Sequence, residues 1–133
     1  MDFQSWLDEN KDEIEQAQEF SKSDLPKVPE QIQPDLNRTT REYPRIAVFV
    51  ADVERFLLEE RARETLSVHR DKGLLDLSAP ERKMIVEARV SPIIHTLSIL
   101  KATAKALEQR HFALLNQRNS VGVELRMAQH QEG

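Results

Sequence analysis

Arg61-Ala62-Arg63, followed by His69, Arg70 and Lys72, is the densest group of side chains in this sequence suited to recognition chemistry. Guanidinium and ammonium groups at that spacing meet phosphates. Glu59, Glu60, Glu64 and Asp71 interleave with them, so ion pairing along one helix is the competing reading. One such patch binds weakly, whereas an oligomer repeats it and follows a single strand of nucleic acid through many phosphate contacts. Catalytic chemistry finds no constellation. The four histidines (His69, His95, His111 and His130) never fall at metal-ligand spacing with a second ligand, and no serine sits in a glycine-rich elbow beside a histidine. Glu59 and Glu60 lie among arginines, which favours ionised acids over a raised-pKa general acid. With no cysteine and three glycines there is neither a thiolate site nor room for a phosphate loop, so no enzyme activity, metal or cofactor is expected.

The elements that must position the basic group read as helices. Phe3, Leu7, Ile14 and Ala17 recur at helical spacing, which predicts an amphipathic helix over 1–20. Pro26, Pro29 and Pro34 then predict a linker or extended strap over 21–42. A second helix is expected to start near Tyr43 and Pro44 and run to about Lys72, where Gly73 offers a stop. Ile46, Phe49, Val50, Val53, Phe56 and Leu57 give its first half an apolar stripe, and the second half, carrying the basic group, is wet. GLLDL makes a turn, and Ser78-Ala79-Pro80-Glu81 reads as a capping box that opens another helix. Pro92 either kinks or breaks that helix.

Beyond it, Val86, Ile93, Leu100, Leu107, Leu114 and Val121 recur every seventh residue, with Val90, Leu97, Ala104, His111, Arg118 and Leu125 as the companion seam. Such a repeat favours left-handed helical pairing, and pairing between copies is expected through Ile93, Leu97, Leu100, Leu107 and Leu114. Residues 43–121 thus form the expected oligomerisation and binding domain, and 122–133 a frayed tail after Gly122. The fold class is all-α: long helices in a hairpin or bundle, with a heptad-patterned C-terminal helix, oligomeric. Composition agrees, since 133 residues with 32% charged and 5% aromatic side chains suit solvated helices and make a thin core for a lone chain. No stretch suits a membrane span and the acidic N-terminus lacks a signal core, so a cytoplasmic protein is expected.

The net charge of −4 hides a segregation. Residues 1–35 hold ten acidic against three basic side chains; residues 82–118 hold seven basic (Arg82, Lys83, Arg89, Lys101, Lys105, Arg110, Arg118) against Glu87 and Glu108. Either both are simply solvated, or the acidic segment shields a basic binding face.

Over about residues 43–119 the order of features resembles the UvsY-type recombination mediators of tailed phages. The resemblance rests on a Tyr-led helix, the Arg61-Ala62-Arg63 element, a turn ending at Gly73, a capped connector, and a long helix carrying Gln109-Arg110-His111-Phe112-Ala113-Leu114-Leu115-Asn116. It implies a helical homo-oligomer in the host cytoplasm that binds single-stranded DNA. Such a protein helps load a RecA-like recombinase while displacing a single-strand-binding protein, with Arg61 and Arg63 in contact with DNA. Two departures stand out. Leu66, Ser67 and Val68 replace the family's paired tyrosines, removing a base-stacking surface worth about 1–3 kcal/mol per base. The turn is also two residues longer. The alternative reading is a non-catalytic phage structural or assembly protein, or a helical adaptor, whose Phe3, Trp6 and Leu7 anchor in a partner's groove.

Overall fold

Four α-helices make up the fold in a computed structural model that describes residues 1–132: α1 (Phe3–Lys22), α2 (Ile32–Arg70), α3 (Ala79–Arg89) and α4 (Ser91–Glu132). Short 3₁₀ turns at Pro29–Gln31 and Lys72–Leu74 precede and follow α2, and no strand occurs among the described residues. The chain is therefore all-α, and none of the described helices is long and apolar enough to cross a membrane. Contacts divide it into two compact units, residues 1–11 with 48–101 and residues 12–47 with 102–133.

In the first unit Asp2 starts α1 by accepting the Ser5 N–H at 2.8 Å, and that bond holds its carboxyl below the usual carboxylate range. Trp6 is then buried, its ring 5.5 Å from that of Phe49 at 86° and 5.9 Å from that of Phe56. Its indole N–H donates to Asp52 at 3.3 Å, so a large apolar ring is covered and its one donor satisfied. Phe3 joins the cluster 6.0 Å from Phe56. Phe3, Trp6 and Leu7 were expected to seek a partner's groove; Trp6 has already found one in α2 of its own chain, and Phe3 and Leu7 are half-buried. Val53, Leu57, Val86, Val90, Ile93, Leu97 and Leu100 complete this core.

The capping box is formed as expected: the Ser78 hydroxyl accepts the Glu81 N–H, and the Glu81 carboxylate takes the Ser78 N–H. At Pro92 the helix is broken rather than kinked. Val90 ends α3 at φ −95°, ψ 4°, outside helical geometry, and α4 restarts at Ser91 with Pro92 in its first turn, where no N–H is needed. The Val90 carbonyl accepts from both Ile93 and Ile94.

In the second unit α2 begins eleven residues earlier than Tyr43, because Pro34 and not Pro44 occupies its first turn. Ile32, Leu36 and Thr39 are buried, and their burial outweighs the roughly 3 kcal/mol that Pro44 costs inside the helix. The strap is thus confined to residues 23–31. Gln117 Nε2 donates to the Pro26 carbonyl on it at 3.3 Å.

Arg110 makes the tightest contacts of this unit. Its side chain is 4% exposed, and Nε and Nη2 grip the Asp35 carboxylate at 2.8 and 2.6 Å. Nη1 donates to the Ser23 carbonyl at 2.7 Å and Nη2 to that of Asp24 at 3.1 Å, while the guanidinium lies 4.5 Å from the Phe20 ring centre. One side chain of α4 thereby ties down α2, the end of α1 and the segment that joins them.

The expected oligomer seam is spent inside the chain. Ile93, Leu97 and Leu100 are buried in the first unit and Leu107 and Leu114 in the second, the last against Ile32 and Leu36. A residue packed against its own chain cannot also fill a hole in a neighbour, so these five are core positions. The tail set at 122–133 is helical through Glu132, because one glycine costs only about 1 kcal/mol; Gly133 lies outside the described residues. Side chains from Val123 to His130 are all exposed.

Removing Arg110 leaves Asp35 and two carbonyls without donors. Urea denaturation of Arg110→Ala is expected to show a loss of about 3–5 kcal/mol, against about 0.5 kcal/mol or less for the exposed Arg118→Ala.

Candidate functional site

The wet end of α2 is folded against α3 by a turn that its sequence makes locally. Asp71 accepts the Gly73 N–H at 2.9 Å, Leu74 donates to the Asp71 carbonyl and Leu77 to that of Leu74, delivering the chain to the Ser78 cap. α2 ends at Arg70, and Gly73 belongs to the 3₁₀ turn; no described glycine has a positive φ. A Cβ on Gly73 would stand 3.3 Å from the Asp71 carboxylate, so glycine leaves room for that local bond.

Three polar contacts join the two helices. Arg61 holds Glu87 with two parallel bonds, Nε to Oε1 and Nη2 to Oε2, each 2.9 Å. Arg89 reaches Glu64 at 3.1 Å. Nearest the turn, Arg82 places Nη1 3.2 Å from His69 Nδ1 and donates from Nε to the Leu77 carbonyl at 3.1 Å. A guanidinium only donates, so His69 Nδ1 must offer its lone pair, which puts the proton of the neutral ring on Nε2.

Between the helices lies a cleft of about 350 Å³ with Val68, Val86 and Ala79 as its apolar part. Arg61, Arg82, Lys83 and His69 converge on it, with Thr65 as a hydroxyl and Glu87 as its single carboxylate. Lys83 is exposed and, among the described residues, has no carboxylate within ion-pair distance. The bonds from Arg61 hold the Glu87 carboxyl below the usual carboxylate range, helped by the charges of Arg61 and Lys83. The cleft therefore keeps one fixed negative charge against three positive ones.

Of the residues read from sequence as one basic group, the structure unites only Arg61 and His69. Arg63 lies two positions from Arg61, about 200° around the helix, and pairs with Glu60 with its side chain 68% exposed. Arg70 and Lys72 are exposed and do not line the cleft. Arg82 and Lys83 take their place. They stand in the sequence as part of the basic stretch 82–118, and only the reversal at 71–78 sets them opposite His69. Arg110, from the same stretch, is buried and unavailable to a ligand.

Among the described residues no three histidine, aspartate or glutamate side chains gather as a metal site. His95 and His130 are exposed, and His111 packs edge-on to Phe112 with ring centres 5.9 Å apart. Comparisons of the chain with family models, curated proteins and solved structures find no match in any of the three.

The Arg61–Glu87 pair sets a pH signature. Because Glu87 has a lowered pKa in the folded chain, its contribution to stability is present above the ordinary carboxylate pKa and is lost as pH falls through the folded value. Melting temperatures of the wild type and Glu87→Gln are expected to differ at neutral pH and to converge in acid below the ordinary carboxylate range; a constant gap would exclude this pair as the cause.

Proposed function

We propose that this chain is a non-catalytic helical protein that binds single-stranded DNA through the α2–α3 cleft. Its role on this reading is that of a recombination mediator helping to load a RecA-like recombinase against a single-strand-binding protein. The observation that carries the proposal is the convergence of Arg61, Arg82, Lys83 and His69, from two helices, on one cleft with a single carboxylate. The Arg82 guanidinium, fixed by the Leu77 carbonyl, is held in place before a ligand arrives, which lowers the ordering cost of meeting a phosphate, whereas Glu87 competes with a phosphate for Arg61. No aromatic ring besides that of His69 lines the cleft, so contacts run to phosphates and the reading predicts tolerance of base sequence. The mediator role rests on the order of sequence features from Arg61-Ala62-Arg63 to the long C-terminal helix.

A second reading, a structural or adaptor protein, is favoured by a different observation: Val48, Leu58 and Leu66 on α2 are exposed, although they are large and apolar. It no longer rests on Trp6.

Binding of a labelled single-stranded oligonucleotide over a salt series tests the first reading. Lys83→Ala is expected to keep the fold, weaken binding, and lower the log–log salt slope by about 0.7, the value for one phosphate contact on a single strand. Glu87→Gln, which removes the cleft's carboxylate, is expected to bind more tightly. If neither variant moves affinity or slope, DNA does not use this cleft.

A further inference from the structure

We propose that α2 pairs antiparallel with α2 of a second copy, through the face made by Val48, Ala51, Arg55, Leu58, Ala62 and Leu66. This proposal is independent of DNA binding. The seam on α4 that the heptads suggested is buried, so any association between copies needs another surface, and α2 supplies one. Its core face holds Val53, Phe56, Leu57 and Val68, all buried, and the six residues named above lie on the opposite side of the helix. Val48 is 59% exposed, Leu58 73% and Leu66 54%, and the two alanines between them are exposed as well. Steps of three or four residues carry this stripe straight along the helix, the pattern of a face that meets another helix.

A second copy is the occupant because the charges beside the stripe complement themselves. With the two-fold axis at the height of residue 57, Val48 is level with Leu66 of the second copy, Ala51 lies within one residue of the level of Ala62, and the two Leu58 side chains stand about 3 Å apart along the helix on either side of the axis, so small residues allow close approach beside a central leucine pair. In that register Arg55 comes opposite Glu59 of the second copy, and Arg63 opposite Asp52. Symmetry makes each of these pairs twice. Asp52 takes the Trp6 N–H with only one of its oxygens, and the Arg63 side chain is mostly exposed, so both have capacity left. A parallel pairing would set Glu59 against Glu59 and Arg63 against Arg63, which costs what the antiparallel one gains.

The stripe from Val48 to Leu66 is about 27 Å long and about 10 Å wide, so each copy covers roughly 300 Å². The two copies together bury roughly 600 Å², about half the total of about 1,200 Å² or more that stable complexes bury, which predicts a weak dimer that dissolves on dilution.

Sedimentation velocity of the full chain over a wide concentration range tests this, with circular dichroism to check the fold. The wild type is expected to rise from monomer toward dimer mass, and Leu58→Glu, a change at an exposed site that leaves helix content intact, to stay monomeric throughout. Arg55→Glu is expected to weaken association by about tenfold or more, and the double exchange Arg55→Glu with Glu59→Arg to restore it. A wild type that is monomeric at every concentration overturns the proposal. So does a dimer indifferent to Leu58→Glu, or a stripe whose variants lose DNA binding while the mass never changes.

Discussion

Arg110 is the constraint on which the unit of residues 12–47 and 102–133 depends. A guanidinium out of water is costly unless its donors are matched, and here four of its five N–H groups are bonded, two to Asp35 and two to the carbonyls of Ser23 and Asp24. The two carbonyls belong to the segment just after α1, which Pro26 and Pro29 keep from continuing as helix. Phe20 lies against the cation, with the Arg38 guanidinium also 4.1 Å from its ring centre. An apolar residue in place of Arg110 could fill its volume but would leave those carbonyls unserved. Lysine could not grip Asp35 with two parallel bonds.

The other unit reaches the same end by apolar means. Trp6, Phe49 and Phe56 bring α1 onto α2, and the Ser78 cap and the break at Val90 let α3 run back along α2 before α4 begins. That reversal creates the cleft. It also explains why the arginines of α2 divide their work: Arg61 turns toward α3 and is held by Glu87, whereas Arg63 leaves on another side of the helix and stays exposed. One helix thus offers a core face, one side to a cleft and an outer stripe, and its periodicities overlap in the sequence.

That overlap decides what could be read in advance. The capping box at Ser78 and Glu81 and the amphipathic α1 were legible because each is decided within a few residues. The heptads through Leu100, Leu107 and Leu114 were legible as a pattern, but periodicity reports that a face is covered and not by what; their own chain covers them. Pro44 misled because proline is weighed locally, whereas the burial of Ile32, Leu36 and Thr39 is tertiary. Arg110 could not be read at all, since its acceptors stand 75 to 87 residues away. Lys83 was visible only as one charge in a basic stretch, and its partners in the cleft come from another helix.

The proposed binding turns on a small piece of geometry rather than on overall charge, which is negative. On the proposed reading, phosphate contacts from a cleft on an acidic chain are modest, salt-sensitive and readily released, as handing a strand to another protein would require. The most direct test is a backbone amide NMR titration with a short single-stranded oligonucleotide at low salt. The account predicts shifts concentrated in residues 61–69 and 79–87, reversed by added salt. Shifts confined to α4, or none at any oligonucleotide concentration, would contradict it.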